Sequence, residues 1–340
     1  MEEHVLSLSY GKDSLACLGA IEQLGWPLDR IIHAEVWATD TIPADPPPMV
    51  EFKAKADAII KERWGIEVEH LCATNKAGEK VTYEKLFYHV PKRRPQNKVR
   101  EQGSVVGFPI RAGHSWCTRD LKTSIINNDL RGGTNKHRIP VHNRSMVQET
   151  QRRDLSSASR SFEGIGVPAT SNGGFSSGPL AQGAKKNIVQ YLGIAADEPE
   201  RIARHQKPGF KLPLVEIGWE ESYCRKWCEQ NGLLSPIYTT ATRGGCWFCH
   251  NQGIDQLRLL RQTYLDLWSL LLKWDRDSPT TFKADGHTVH DFDLRFHAED
   301  LGLVPTDRTF RWKMLDESVV NACKRDSIRA RIMKMLEQPP

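Results

Sequence analysis

The chain has 340 residues, of which 39% are hydrophobic and 26% are charged, so it can bury the core of one large domain or two ordinary ones. This composition excludes a disordered chain, and no apolar run reaches the roughly 18 residues that a membrane-spanning helix needs. The net charge of +5 permits binding to polyanions but does not require it.

The amino-terminal residues do not combine a basic segment with a long apolar one. We therefore expect no secretory signal, no membrane partner and a cytoplasmic location. In that compartment the 8 cysteines are expected to be reduced, which favours metal-binding or catalytic roles over disulfides.

The first part of the chain alternates between strand and helix patterns. Apolar runs predict strands over residues 4–9, 31–37 and 66–72, and helical spacing predicts helices over 13–24 and from about 46 to 64. Helices between successive strands imply right-handed crossovers and a parallel sheet. We therefore predict a doubly wound α/β fold, whose ligands bind in the loops that follow the strands.

The alternation lapses over residues 128–186, where nine Lys and Arg residues accompany four acidic ones. We predict a flexible, basic insertion there. A strand over 188–194 and a helix from about 197 resume the α/β pattern, so the first domain is predicted over residues 1–217. The remainder, residues 218–340, is predicted to be mainly helical, with helices over 220–230, 254–274 and 316–337.

The string SYGKDS, which begins at Ser9, lies between the first strand and the first helix, where free backbone N–H groups favour an anion. Gly11 allows the backbone to approach a phosphate, and Lys12 adds a positive charge. Asp13 can cap the helix or hold a cation, and Ser14 supplies a hydroxyl. The same residue types also form ordinary turns and helix caps, and this alternative stays open.

Two cysteines, Cys246 and Cys249, have the spacing that lets both thiolates reach one metal or cluster from a single turn. A four-cysteine set would fit either Zn²⁺ or a [4Fe–4S] cluster. The candidate ligands are Cys117, Cys228, Cys246 and Cys249, with His250 or Cys224 as substitutes for one member. A redox dithiol or two buried thiols are the alternatives for the Cys-x-x-Cys pair.

Five segments together resemble the phosphoadenosine phosphosulfate (PAPS) reductase-like family of PP-loop ATP pyrophosphatases. They are SYGKDS at 9–14, GFP at 107–109, WCTRDLK at 116–122, YLGIAADE at 191–198 and GGCWFC at 244–249. The resemblance covers most of the chain except the insertion and the last helix. It is closest to members that are similar to the sulfurtransferase of DNA phosphorothioation. Tyr10 departs from the family pattern, which usually has a second glycine at that position.

The resemblance implies an adenine nucleotide alpha hydrolase-like fold that binds ATP, or PAPS or adenosine phosphosulfate (APS), together with Mg²⁺. The expected nucleotide-binding residues are Ser7, Ser9, Tyr10, Gly11, Lys12, Asp13, Ser14, Asp40 and Thr41. Lys12 and Asp13 are the expected catalytic residues. Asp40 and Asp197 can bind Mg²⁺ or ribose, or can simply cap helices.

Two further sites follow from the same resemblance. The four cysteines are expected to hold an iron–sulfur cluster, with Zn²⁺ as the alternative. Arg119 and Lys122, one helical turn apart, are expected to bind a phosphate or sulfate, unless they only form a solvated helix face.

The expected reaction cleaves ATP between its α- and β-phosphates, adenylylates a substrate oxygen and lets sulfur displace AMP. The sequence lacks the Glu-Cys-Gly-x-His motif and the adjacent Cys-Cys pair of the reductases, so PAPS reductase is the alternative. A non-catalytic nucleotide-binding regulator with a structural zinc is another alternative.

Nucleic acid is the expected acceptor, and a cysteine desulfurase is the expected sulfur donor. DNA or RNA phosphates can be contacted by the insertion and by a second basic group, although a solvated loop would have the same composition. The second group consists of Lys92, Arg93, Arg94, Lys98 and Arg100.

Overall fold

The computed structural model describes residues 2–91, 103–109, 115–132, 187–239 and 244–336. Within them, five parallel strands form one sheet in the order β3-β2-β1-β4-β5. The strands are β1 (Glu2–Ser7), β2 (Arg30–Glu35), β3 (Val68–Cys72), β4 (Asn187–Tyr191) and β5 (Phe210–Lys211). The parallel sheet and its flanking helices confirm the predicted α/β class.

Twelve α-helices lie in the described residues, and most of them connect or cover the strands. They are α1 (Lys12–Leu24), α2 (Pro47–Trp64), α3 (Tyr83–Phe87), α4 (Trp116–Thr118), α5 (Ser124–Leu130), α6 (Pro199–His205), α7 (Pro213–Glu216), α8 (Glu221–Gln230), α9 (Ile254–Thr263), α10 (Leu265–Asp277), α11 (Val289–Asp300) and α12 (Glu317–Leu336). A π turn joins α4 to α5, and short 3₁₀ helices span Pro236–Thr239 and Trp312–Met314.

The order of the strands reverses next to β1. The chain runs from β1 outward through β2 to β3, and it then returns to place β4 on the other side of β1. Val5 of β1 pairs with Arg30 on one side and with Gln190 on the other. Such a reversal opens a crevice at the carboxyl ends of the two central strands, which is where α/β sheets bind ligands.

The sheet is buried by helices on its faces. Leu6 of β1, Leu18 of α1 and Phe52 of α2 belong to one apolar core. Helix α8 packs against α1 so closely that a Cβ on Gly19 would lie 2.4 Å from the indole of Trp227. The α8 segment, which follows the predicted domain end at residue 217, therefore packs with the sheet.

The described residues form two compact units. Unit 1 takes the described parts of residues 1–86 and 114–246, and unit 2 takes those of 87–113 and 247–340. Unit 2 is helical and has an aromatic core, in which Trp247 stacks on Trp274. The single helix predicted over 254–274 is wrong in one respect, because Tyr264, with φ −126° and ψ 69°, separates α9 from α10.

The flexible insertion predicted over 128–186 is wrong at its first residues, since α5 continues to Leu130 and Asp129 bonds Arg30 at 2.7 Å. Residues 133–186 and the second basic group, residues 92–100, lie outside the described residues. Among the helices that the structure describes, none is both long enough and apolar enough to cross a membrane.

Candidate functional site

The loops after β1 and β4 meet at the point where the strand order reverses. A Cβ on Gly193, in the β4 loop, would lie 2.5 Å from Ser14 Cα and 2.6 Å from Ser14 N. The backbone of the β4 loop therefore rests directly on the first turn of α1, and only glycine fits at position 193. This contact brings residues predicted from two distant motifs into one site.

The backbone N–H groups of the β1 loop face hydroxyl oxygens. Ser9 N donates to Ser14 Oγ at 3.2 Å, and Gly11 N donates to Ser9 Oγ at 3.4 Å. Lys12 N donates to Tyr238 Oη at 3.1 Å. Uncharged hydroxyls at the amino end of the 13-residue helix α1 are acceptors that a phosphate oxygen can replace or join.

Tyr10 has a backbone conformation that favours glycine, the residue usual at this position in the family that the sequence resembles. Its φ is 56°, a left-handed conformation that favours glycine. The strain is offset because the ring is fully buried and its hydroxyl donates to Asp57 and contacts His70 Nε2 at 3.1 Å. Tyr10 was predicted to bind the nucleotide, but in this conformation its phenol is enclosed in the core and is not available to a ligand.

Three carboxylates gather beside the loop, and we call Asp13, Glu198 and Glu221 the carboxylate group. One oxygen from each lies within 4.8 Å of the others, as a shared cation would require. Lys12 Nζ lies 2.8 Å from Asp13 Oδ1 and 3.2 Å from Glu221 Oε2. Oxygen ligands of this kind suit Mg²⁺, so the group fits the expected ion.

The charges in this group shift two pKa values. Burial acts to lower the pKa of Lys12, but its hydrogen bonds and ion pairs with Asp13 and Glu221 outweigh burial and raise it. Burial raises the pKa of Asp13, and the neighbouring Glu221 and Glu198 charges add to that, whereas Lys12 opposes it. Lys12 therefore stays cationic at neutral pH, and it partly compensates the three carboxylates.

The sequence did not single out Glu198 or Glu221. Glu198 lies in the YLGIAADE string that carries the family resemblance, so the sequence holds a signal for it, although the prediction names the neighbouring Asp197. Asp197 Oδ1 accepts from the Glu221 backbone N at 3.1 Å, so it caps the start of α8. Glu221 had no local signal, because only the packing of α8 on α1 brings it near Lys12.

The other predicted nucleotide residues have partners within the protein. Ser7 Oγ accepts from Gln190 Nε2 at 2.6 Å, which joins β1 to β4. Asp40 Oδ1 pairs with Lys85 at 2.6 Å, and Thr41 N donates to Thr39 Oγ1 at 3.3 Å. Asp40 and Thr41 lie in the exposed turn after β2, at the same edge of the sheet as the loop of β1.

The pair predicted to bind phosphate or sulfate does not have the expected spacing. Arg119 and Lys122 lie in a π turn, Arg119–Thr123, which is wider than an α-helical turn. Residues three apart therefore do not lie one above the other. Arg119 instead pairs with its neighbour Asp120 at 2.6 Å, and its side chain is 66% exposed.

The predicted cysteine ligands lie in different environments. Cys228 is fully buried between α8 and α1, where its thiol donates to Lys12 O at 3.2 Å. Burial raises its pKa well above the usual value, which favours the thiol over the metal-binding thiolate. Cys117, Cys246 and Cys249 are partly exposed.

Two groups of three or more potential ligands lie close together in the described part of the chain, and neither contains a cysteine. The cysteine metal centre therefore stays a prediction.

A second charged cluster lies in the interior of unit 1, and we call His33, Glu35 and His70 the buried histidine cluster. Its ligand atoms are also within 4.8 Å of one another, but the ammonium of Lys53 already bonds His33 and Glu35. Lys53 Nζ lies 2.8 Å from His33 Nε2 and 3.1 Å from Glu35 Oε1, and it also pairs with Asp45. The lysine ammonium thus takes the place that a metal ion would need.

Two histidines of the buried histidine cluster form hydrogen bonds with the β1 loop. His33 Nδ1 bonds Leu8 O at 2.8 Å, and since a carbonyl only accepts, Nδ1 is the donor and Nε2 accepts from Lys53. Burial and the charge of Lys53 lower the pKa of His33 to about 4, so it is neutral at pH 7. His70 contacts the Tyr10 hydroxyl, so two members of the cluster fix residues of the loop.

Comparison with protein-family models, with curated proteins and with solved structures finds no match to this chain.

Proposed function

We propose that unit 1 is a PP-loop nucleotide-binding domain of the PAPS reductase-like, adenine nucleotide alpha hydrolase-like type, which binds ATP by its phosphates. The observation that carries this proposal is the row of loop N–H groups on Ser9, Gly11 and Lys12, each bonded to a hydroxyl at the amino end of α1. A phosphate at this place gains amide donors, the positive end of a helix and the Lys12 ammonium.

The position of the site in the sheet supports the same function. The loop lies at the carboxyl end of β1, beside the reversal of strand order between β1 and β4. The specific choice of an adenine nucleotide rests on the resemblance of the SYGKDS string. Asp40 and Thr41, in the turn after the neighbouring strand β2, are proposed to contact the nucleoside.

The carboxylate group is proposed to hold Mg²⁺, with Asp13, Glu198 and Glu221 as oxygen ligands. The ion supplies charge neutralisation for the triphosphate when it is bound. Lys12 lies between Asp13 and Glu221, and its raised pKa keeps it cationic, so it is proposed to turn from these carboxylates to the phosphates. Ser9, Ser14 and the loop amides orient the phosphate chain.

The proposed reaction begins when an oxygen of the acceptor attacks the α-phosphorus of ATP. The bond between the α-phosphorus and the bridging oxygen breaks, pyrophosphate leaves, and the acceptor carries AMP. A donor of the cysteine desulfurase class then presents a persulfide, whose outer sulfur attacks the acceptor and displaces AMP. A thiol reductant cleaves the resulting disulfide, so that sulfur stays on the acceptor and the donor leaves as a thiol. The acceptor is proposed to be DNA or RNA, and the protein is proposed to work in the cytoplasm.

The test compares the wild-type protein with Lys12→Gln, and it uses Lys61→Gln as the matched control. Lys61 is an exposed lysine of α2 whose partner is Glu67. Titration calorimetry with Mg-ATP should show binding to wild type and to the control, and an affinity at least about tenfold lower for Lys12→Gln, since hydrogen bonds to charged groups are worth about 1.5–3 kcal/mol.

Product analysis with ATP labelled at the α-phosphate separates the possible reactions. In the presence of a DNA or RNA acceptor, we expect labelled AMP or an AMP adduct together with unlabelled pyrophosphate. Labelled ADP would contradict cleavage between the α- and β-phosphates. Binding with no cleavage would instead favour the non-catalytic regulator, and no binding of any adenine nucleotide would contradict the whole proposal.

A further inference from the structure

Tyr238 reaches the loop from a segment 226 residues away in the sequence, and its hydroxyl oxygen accepts from the backbone N–H of Lys12 at 3.1 Å. It belongs to the short 3₁₀ helix Pro236–Thr239, and the residue is 9% exposed. Nothing in the sequence around position 238 resembles a phosphate motif. The packing of unit 1 alone brings this phenol to the amino end of α1.

The hydroxyl lies on the side of the loop where Gly11 leaves the backbone uncovered. A Cβ on Gly11 would lie 3.4 Å from both Tyr238 Oη and Ser9 Oγ. The two hydroxyls therefore flank the same bare stretch of backbone. A ligand that approaches Gly11 closely must meet both of them.

The hydroxyl protons of the loop can be assigned one by one. Ser9 Oγ donates to Ser14 Oγ at 3.0 Å, and Ser14 Oγ donates to Gly11 O at 2.9 Å. The Tyr238 hydroxyl accepts from Lys12 N, and its own proton has no acceptor among the residues that the structure describes. A phenol that accepts from a helix N-terminus and keeps a free proton is arranged to donate to an anion.

The environment keeps this proton on the phenol. Burial is the largest influence and raises the pKa of Tyr238 above its usual value. The hydroxyl is therefore a donor at neutral pH. Because it also accepts from the Lys12 N–H, the two hydrogen bonds form a chain in which each bond polarises the next.

We infer that Tyr238 is a phosphate-contacting residue, whose hydroxyl donates a hydrogen bond to a phosphate oxygen of the nucleotide held by the loop. The inference rests on the proposed function and assigns a further binding residue to that site. The ligand class is a nucleotide with a charged phosphate chain. The nucleoside itself gains nothing from this contact.

The experiment uses Tyr238→Phe, which removes the hydroxyl and keeps the ring that packs in unit 1. The matched control is Tyr191→Phe, because the Tyr191 hydroxyl donates to Pro27 O, which precedes β2 at the opposite edge of the sheet. Titration calorimetry measures the dissociation constants of Mg-ATP and adenosine for wild type and both variants. Thermal unfolding measures whether each variant keeps its fold.

We expect Tyr238→Phe to raise the dissociation constant of Mg-ATP about tenfold or more, the size expected for one hydrogen bond to a charged group. Adenosine affinity should not change, and Tyr191→Phe should bind both ligands as wild type does. A purely structural role would lower the affinity for Mg-ATP and for adenosine together.

Unchanged or tighter ATP binding by Tyr238→Phe would overturn the inference alone, because the hydroxyl would then make no favourable contact with the phosphates. Failure of wild type to bind ATP would overturn the proposed function as well.

Discussion

Unit 1 contains two clusters of potential metal ligands, each with one lysine, and they differ in access to solvent. The carboxylate group lies at the carboxyl edge of the sheet, where the Glu221 side chain is 49% exposed. The buried histidine cluster is closed, and the Lys53 side chain within it is 3% exposed. In the carboxylate group solvent can reach the carboxylates, so a dissolved cation can replace Lys12. In the buried histidine cluster Lys53 is enclosed, so no dissolved cation can replace it.

This difference shows that proximity of ligand atoms does not by itself make a site. In the closed cluster the buried ammonium of Lys53 pairs with both Glu35 and Asp45, and the whole assembly fixes Leu8 and Tyr10 of the loop. In the open group Lys12 balances only part of the carboxylate charge. The closed cluster should therefore govern stability, and the open group should govern binding.

The largest expected effect comes from Lys53→Met. This change leaves Glu35 and Asp45 buried without their cation, and breaking a buried ion pair costs about 3–5 kcal/mol. Urea unfolding should show the loss. Lys61→Met, which removes the exposed partner of Glu67, is the control and should leave the unfolding midpoint unchanged. Equal midpoints for the two variants would contradict the closed character of the cluster.

Acid should weaken unit 1 next most strongly. The pKa of His33 is about 4 in the folded protein and 6.5 in its ordinary state, so between these pH values the unfolded chain binds the extra proton. The stability that neutral His33 provides is complete above pH 6.5 and is lost as the pH falls towards 4. From pH 6.5 to pH 5 the loss is about 1.6 kcal/mol.

Urea unfolding at several pH values between 7 and 5 tests this loss. The variant His33→Gln removes the titrating ring, so its stability should depend less on pH over that range than the stability of wild type. Identical slopes would show that His33 is not the group responsible.

A smaller loss is expected for Gly193→Ala, because its new methyl group would lie 2.5 Å from Ser14 Cα. The two loops must separate, which should cost at least about 1 kcal/mol and move Glu198 away from Asp13. Gly244→Ala, where nothing lies within 4 Å, is the matched control. Urea unfolding and Mg-ATP titration should both report the change, and full ATP affinity in Gly193→Ala would contradict the role of this contact.

The smallest effect on stability is expected for Glu221→Gln, whose side chain is about half exposed. Its unfolding midpoint should match that of wild type, but the Mg²⁺ concentration needed for half-maximal ATP binding should rise roughly threefold or more, because the site loses one ligand charge. A variant that unfolds as easily as Lys53→Met would remove the distinction between the two clusters.

The fold was predictable where neighbouring residues in the sequence determine the secondary structure. The apolar runs and helical stripes of the first 72 residues predicted β1 to β3 and the helices between them, although β1 ends at Ser7 and not at Ser9. The SYGKDS string predicted the loop because its residues are consecutive in the sequence. A single helix was predicted across Tyr264, because apolar spacing does not show where a backbone leaves the helical conformation.

Only the part of the site that lies in the loop after β1 was predictable from the sequence. Glu221 and Tyr238 contact Lys12 through the packing of segments more than two hundred residues away, and no spacing rule reports such contacts. The histidines of the closed cluster lie singly on β2 and β3, where they look like ordinary strand residues. Their meeting depends on the register of the sheet, in which His33 pairs with His70.

The contact between Gly19 and Trp227 limits how this chain can vary over evolution. A methyl group at position 19 would lie 2.4 Å from the indole, so any larger residue there requires a smaller one at position 227. Homologous chains that keep α1 against α8 should therefore change these two positions together, and an alignment would reveal the pair as covarying sites although they are distant in sequence.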